Sequence, residues 1–254
     1  MKLENKVAII VGGSSGIGKA TSKLLAQEGA KVMIADLNIE KANKVADEIK
    51  ASGYEAATVK VDMTKEEEAY EMAKVTLDKF GHIDILVNVA GGSRGEFIRE
   101  KVVPFAEQTK EDWDRHIDIN LNGARNCTRA VINHMIQRRS GKIVSFSSLA
   151  ALQGGPADYA AAKSGIIGFT KALGVEMAQH GIQVNCVCPG GTLSERFQSA
   201  IEKRQREGPP IDRPAVDLSK YNKPEELASV VLFLVTDDIS HLFGENIVVA
   251  GWRV

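Results

Sequence analysis

The sequence predicts an α/β fold: a doubly wound, seven-stranded parallel sheet with helices on both faces, in one domain spanning residues 1–254. Three observations carry this expectation. Short apolar runs rich in Val and Ile alternate with longer segments of helical period, the pattern of strands and crossover helices in a parallel sheet. The first run ends in Gly12-Gly13-Ser14-Ser15-Gly16-Ile17-Gly18 and passes directly into a helix-like stretch. Polar residues that fit neither a core nor a helix surface cluster where the strands end, which is where open α/β sheets bind ligands.

The elements follow in order. Val7–Val11 is apolar, β-branched and ended by glycine, as a buried strand should be. In the loop after it, glycine allows a tight turn and a close backbone approach to a pyrophosphate. The helix over Lys19–Glu28 adds free N–H groups and partial positive charge. Alone, such a loop is only a flexible turn; between strand and helix it points to a nucleotide. Gly29-Ala30 closes that helix, and Lys31–Asp36 is the second strand. Asp36 stands at its C-terminal end, 18 residues after Gly18. There a carboxylate accepts hydrogen bonds from the ribose hydroxyls of NAD and repels a 2′-phosphate. Asp36 also suits a plain cap for the helix Ile39–Lys50, and the two roles are compatible. Ser15 and Leu37 lack the positive charge that often welcomes NADP.

Glu55–Val61 is a third strand, ended by Asp62, and Thr64-Lys65-Glu66-Glu67 reads as a capping box. The helix it opens places Ala69, Met72, Ala73, Leu77 and Phe80 at core spacing. Ile83–Val87 is the fourth strand and runs into Asn88-Val89-Ala90-Gly91-Gly92, small enough for backbone to approach a cofactor. Trp113–Arg138 reads as one long helix, with Gly141 closing the region and Asn120 inside it. Asn is a mediocre helix former, so a buried one needs partners. Lys142–Phe146 is the fifth strand, leading to Ser147-Ser148; Tyr159–Gln179 is a helix. Ile182–Val187 is the sixth strand, ending at Pro189-Gly190-Gly191-Thr192. Leu193–Pro214 is charged, interrupted by proline and placed as a substrate lid; Pro224–Thr236 and Asn246–Ala250 give the last helix and strand.

Tyr159 and Lys163, four residues apart, share one helix face. Tyrosine is a poor acid or base at neutral pH, with a pKa of about 10. A nearby ammonium stabilises the phenolate and lowers that value, so such a tyrosine can exchange a proton with an alcohol oxygen. An isolated pair of this spacing is most often a half-buried tyrosine beside a solvated lysine. Here the Gly12–Gly18 loop, Asp36, Asp62, Asn88, Ser148 and Pro189 all fall at strand ends on one sheet edge, and that convergence outweighs the bland reading.

Composition narrows the function classes. A net charge of -1 leaves no basic footprint for nucleic acid, and no polybasic run marks a membrane surface. The apolar run at Val7–Val11 is too short to span a bilayer and has no signal-peptide pattern. Cys127, Cys186 and Cys188 make no disulfide framework and read as small core residues, which fits a reducing cytoplasm. No metal ligand set is expected.

Gly12, Gly16 and Gly18, Asn88-Val89-Ala90-Gly91, Asn120, Ser148, Tyr159 with Lys163, and Pro189-Gly190 stand in an order and spacing that resembles the short-chain dehydrogenase/reductase family along nearly the whole chain. The resemblance implies a Rossmann-like domain, a nicotinamide cofactor, a small-molecule substrate, and a homotetramer or homodimer. It implies that Tyr159 exchanges the proton, Lys163 holds the nicotinamide ribose, Ser148 orients the substrate oxygen and Asn120 anchors a water joining Lys163 to solvent. It places the cofactor against Gly12, Ser14, Ser15, Gly16, Ile17, Gly18, Asp36 and Leu37. Asp62 and Met63 would meet the adenine end. Asn88, Ala90, Gly91, Pro189, Gly190, Thr192 and Ser194 would line the nicotinamide end, with Tyr159 and Lys163. The sequence departs from the family at Val11, where threonine is usual, and at Val89, where a second asparagine is usual. The segment from Ser148 to Tyr159 is about two residues short, with the gap expected between Pro156 and Tyr159; Ser147 is the reserve for the catalytic serine.

The expected activity is an NAD-dependent dehydrogenase of a secondary alcohol, or the reverse ketone reduction, on a hydroxyacyl or alicyclic acid derivative. A catalytically silent NAD-binding regulator on the same fold is the alternative; Ser148, Tyr159 and Lys163 together argue against it. A sugar-nucleotide epimerase or dehydratase finds little room after Pro189. Arg196, Lys203, Arg204, Arg206 and Arg213, with Arg94, Arg99 and Lys101, read either as solvated surface or as contacts to an anionic tail such as a carboxylate or coenzyme A thioester.

Overall fold

The computed structural model of the protein describes residues 1–92, 103–195, 197–199 and 217–251. The expected sheet is present: β1 Val7–Val11, β2 Lys31–Asp36, β3 Ala56–Lys60, β4 Ile85–Asn88, β5 Gly141–Phe146, β6 Ile182–Pro189 and β7 Asn246–Val249. They lie in the order β3-β2-β1-β4-β5-β6-β7, and every pairing is parallel. The order reverses direction beside β1, so the C-terminal ends of β1 and β4 part and leave the crevice in which such sheets take ligands.

Both faces of the sheet are covered, because side chains alternate along each strand. Ala8 and Ile10 of β1 face one core with α1 (Gly16–Gln27), α2 (Ile39–Ala51) and α8 (Pro224–Val235). Val7, Ile9 and Val11 face the other, with α3 (Glu66–Phe80), α5 (Gly123–Arg138) and α7 (Ala157–Ala178). Burial of all five β1 residues explains why that strand is continuously apolar rather than alternating.

Three local expectations are corrected. Thr64 does not open a capping box. The Asp62 carboxylate binds the Thr64 N–H at 3.1 Å and its hydroxyl at 2.7 Å, and Glu68 reaches back to the Asp62 N–H at 2.7 Å. An aspartate two residues upstream offers the hydroxyl a shorter-range partner than the helix does, so α3 begins later, at Glu66. The long helix starts at Lys110 rather than Trp113, because Thr109 and Asp112 form a reciprocal cap there. It is also not uniform: α4 (Lys110–Ile117) widens into one π turn at Asp118–Asn122 before α5. The turn out of α5 is made by Arg139, in the left-handed region at φ 51°, and Gly141 is already strand.

The basic residues weighed for an anionic tail (Arg94, Arg99, Lys101, Arg196, Lys203, Arg204, Arg206 and Arg213) lie outside the described residues, as does most of the lid segment. Among the described residues, no helix is long and apolar enough to cross a membrane, and no cluster of His, Cys, Asp and Glu could hold a metal ion.

Candidate active site

A glycine cradle is built at the end of β1. Gly12 N–H donates to Ala35 O at 2.7 Å, and Val11 O accepts from both Val89 N and Ala90 N at 3.0 Å. The loops after β1, β2 and β4 are therefore joined through main chain. At Val11 and Val89 these ties run through backbone, not side chain. Gly18 cannot carry a side chain, since an added Cβ would sit 2.0 Å from the Gly12 carbonyl oxygen. That contact packs the first turn of α1 onto the loop.

Ser15, at the N-cap of α1, makes no side-chain cap, and the first turn holds no acidic residue. The N–H groups and positive end of α1 thus face outward without an internal anion, a fit for a pyrophosphate. Asp36 stands beside them: its Oδ2 accepts the Ser14 N–H at 3.1 Å and its Oδ1 the Asn38 N–H at 3.0 Å. Leu37 is half-buried next to it. Asn38, not Asp36, caps α2, through Lys41 N at 3.0 Å. The carboxylate braces the glycine loop and keeps lone pairs for a ribose.

Asn88 and Met63 also serve the packing. The Asn88 side chain is buried and donates to Thr128 Oγ1 and Ser145 Oγ, both at 3.3 Å. Met63 is buried in the α3–α5 core, and its carbonyl accepts from Asn126 at 3.0 Å. Across the crevice, Pro189–Ser194 is pinned from behind: Gly190 N donates to Val249 O at 2.8 Å, and Leu193 N to Asn222 O at 2.9 Å. Thr192 Oγ1 donates to Gly190 O at 3.2 Å. A Cβ on Gly16 would come within 3.2 Å of Ser194 Cβ, so this loop meets the glycine turn and closes the far wall of the cradle.

The chemical end lies where β5, the π turn and α7 converge. Lys163 is 3% exposed; its Nζ donates to Phe146 O at 2.8 Å and lies 5.9 Å from the centre of the Tyr159 ring. Burial pushes the lysine's pKa down to about 8. Asn120, also buried, is fully used: its Oδ1 accepts Gly92 N at 2.8 Å, and its Nδ2 donates to Gly92 O and His116 O at 3.0 and 3.1 Å. Gly91 passes directly over this pair, for a Cβ there would be 2.6 Å from Asn120 Oδ1 and 3.2 Å from Lys163 Nζ. The β4 loop, Asn120 and Lys163 thus form one contact group.

The two serines are told apart by what they touch. Ser147 Oγ is buried and donates to Lys163 O at 2.7 Å, bracing α7. Ser148 is half-buried; its Oγ accepts Ala150 N at 3.2 Å and keeps its proton to donate. The Ser147 hydroxyl is thereby committed to bracing α7. The short segment between Ser148 and Tyr159 forms a single helical turn, α6 (Ala150–Gln153), and Gly154, at φ 91°, turns the chain into α7.

Cys127, Cys186 and Cys188 are free and buried, as expected. Burial pushes the Cys127 thiol up to about 12, and hydrogen bonding to Cys188 together with burial pushes Cys186 up.

Lys163 makes a stability prediction. Unfolded, it keeps its proton up to a pH of about 10.4; folded, it releases it near 8. The folded state binds fewer protons in that window, so the residue's contribution to stability falls as pH drops from 10.4 to 8, and the full penalty stands below. Its size is on the order of 3 kcal/mol, offset in part by the bond to Phe146 O. Lys163→Met is therefore expected to melt at a higher temperature than wild type at pH 7, with the gap closing above pH 8. A mutant less stable at pH 7 than at pH 10, relative to wild type, contradicts this.

This geometry has close counterparts. The short chain dehydrogenase family model matches residues 6–205. The chain is 37% identical to the (2S)-[(R)-hydroxy(phenyl)methyl]succinyl-CoA dehydrogenase subunit of Thauera aromatica, over 100% of this chain and 98% of that protein. It is 36% identical to the 3-oxoacyl-[acyl-carrier-protein] reductase of Thermotoga maritima, over the full length of both. Among solved structures, levodione reductase superposes with a TM-score of 0.87 at 30% identity, covering 98% of this chain and 97% of the other. Matched by that family model over most of its length and by full-length relatives above 30% identity, the chain belongs to the short-chain dehydrogenase family of oxidoreductases.

Proposed function

We propose that the protein interconverts a secondary alcohol and a ketone on a hydroxyacyl thioester, with NAD as cofactor. The observation that carries the reaction type is the buried Lys163 ammonium beside the Tyr159 ring, under the Gly91 backbone. When bound, the nicotinamide supplies or accepts hydride at its ring carbon. Gly12–Gly18 and the α1 N-terminus would hold the phosphates, Asp36 the adenosine ribose, and Thr192 and Ser194 the nicotinamide end. Lys163 lowers the cost of a phenolate at Tyr159, and Tyr159 passes the proton to or from the substrate oxygen. Ser148 donates to that oxygen and fixes its direction. Asn120, locked to Gly92, keeps the π turn in place so that its carbonyl region can hold a water near Lys163.

The thioester class is supported by the two relatives, one named for a succinyl-CoA and the other for a 3-oxoacyl carrier-protein substrate. The test is a panel of alcohols with NAD, followed at 340 nm: 3-hydroxyacyl-CoA esters, cyclic alcohols, polyols and steroids. Turnover of the CoA esters well above the rest is expected; activity confined to polyols or steroids would overturn the thioester assignment.

We also propose a homo-oligomer, dimer or tetramer, in a reducing cytoplasm. Ala157, Ala161, Ser164, Gly168, Ala172 and Val175 are exposed along one face of α7, and Val175 is 77% exposed. A face of small residues along this long helix suits a second copy of itself. Light scattering that returns the 27.5 kDa mass of one chain would remove this proposal.

A further inference from the structure

Two buried ionisable side chains meet beside the active site without a part in the reaction just described. His116, in the last turn of α4, is 1% exposed, and Asp158, in the first turn of α7, is 0% exposed. His116 Nδ1 lies 3.3 Å from Asp158 Oδ2 and 3.0 Å from Asp112 O. The nearer neighbour is a carbonyl, so Nδ1 carries the proton and donates to Asp112 O, with the Asp158 carboxylate facing it at ion-pair distance. Each partner is also tied to a residue of the site. Asp158 Oδ1 accepts the Tyr159 N–H at 2.8 Å, and the His116 carbonyl accepts from Asn120 Nδ2 at 3.1 Å.

We propose that the buried His116–Asp158 pair is a positioning device that locks the first turn of α7, and with it the Tyr159 hydroxyl, against the Asn120 turn. The inference rests on the reading of Tyr159 as the proton-exchanging group. Its physical basis is direction. Two apolar side chains at this crossing would hold the helices together equally well, but would let one rotate or slide against the other. A ring N–H anchored to a carbonyl on α4 and facing a buried carboxylate on α7 favours one arrangement of the two helices. Asp158 sits next to Tyr159 in the chain, so any slip of its carboxylate moves the ring directly. A π turn beside α4 sharpens the need, because the wider turn leaves Asn120 dependent on the His116 carbonyl for its second donor contact.

The test compares wild type, His116→Phe, which fills the space without the donor, and His116→Asn, which restores a donor near the Nδ1 position. With the most active alcohol of the panel, His116→Phe is expected to lose about 10²-fold in kcat, the cost of a small misplacement of reacting groups. The affinity for NAD should stay unchanged, and His116→Asn should recover most of the loss. The second readout needs no substrate. Wild type minus Tyr159→Phe in a UV-difference titration defines the ionisation of Tyr159. His116→Phe should move that ionisation up towards the ordinary phenol value of about 10. A merely structural role would lower the melting temperature and leave kcat per folded molecule and the phenol titration where they were; that result overturns the inference. If His116→Phe does not fold, Asp158→Asn, which keeps the Tyr159 contact and sets a donor against the His116 N–H, must give the same losses, and wild-type behaviour there overturns it equally. A fully active Tyr159→Phe, by contrast, sinks the reading of Tyr159 itself.

Discussion

Tyr159→Phe is expected to lower kcat by about 10²–10⁴-fold, the range spanned by general acid–base groups, while leaving the affinity for NAD as it is. The substitution removes one oxygen and nothing else. The ring remains against Lys163, whose Nζ lies 5.9 Å from its centre, and the lysine keeps its bond to Phe146 O. The cradle at Gly12–Gly18 is tied through main chain, Gly12 N to Ala35 O and Val11 O to Val89 N and Ala90 N. What is lost is the group that exchanges a proton with the substrate oxygen. Stopped-flow or steady-state rates at 340 nm give kcat, and quenching of protein fluorescence gives the NAD affinity. Normal turnover in this variant would refute the assigned mechanism. Loss of NAD binding in parallel would show that the phenol serves the cofactor rather than the chemistry.

Asp36→Ala is expected to weaken NAD by roughly 10–100-fold, the worth of a hydrogen-bonded charged group at about 1.5–3 kcal/mol. It should also relax discrimination against NADP, because the repulsion of a 2′-phosphate disappears. The carboxylate has a second duty that the same variant exposes: it holds the Ser14 and Asn38 N–H groups. Asp36→Asn separates the two, since the amide oxygen can still accept one of those bonds but carries no charge. If selectivity follows charge, Asn and Ala variants both accept NADP, and only Ala loosens the glycine loop. Unchanged selectivity in both would remove Asp36 from the cofactor site.

Much of this architecture was legible in the chain. Strands announced themselves as β-branched runs, and Tyr159–Lys163 and Gly12–Gly18 as short-range spacings, because period and turn chemistry are properties of neighbours. Where sequence and structure differ, the cause is a competing neighbour: Thr64 has the spacing of a cap, but Asp62 takes its hydroxyl. Ser147 and Ser148 are alike in sequence, and the Lys163 carbonyl approaches only Ser147. The Asn88 side chain and Met63 also take packing partners that spacing does not show. In the sequence His116 is a lone histidine on a helix and Asp158 an aspartate near a helix start, both ordinary, and 42 positions separate them.

By itself the sequence determined which segments are strands and helices, that the sheet is parallel, and which chemistry a tyrosine–lysine pair beyond its edge can perform. Tertiary structure alone decided the strand order, the π turn at Asp118–Asn122, the burial that brings Lys163 near neutral pH, and the meeting of His116 with Asp158. The division is physical. Backbone preference and hydrophobic period act over a few residues and are written locally, whereas desolvation and buried hydrogen bonds depend on which distant groups the packed helices bring into contact.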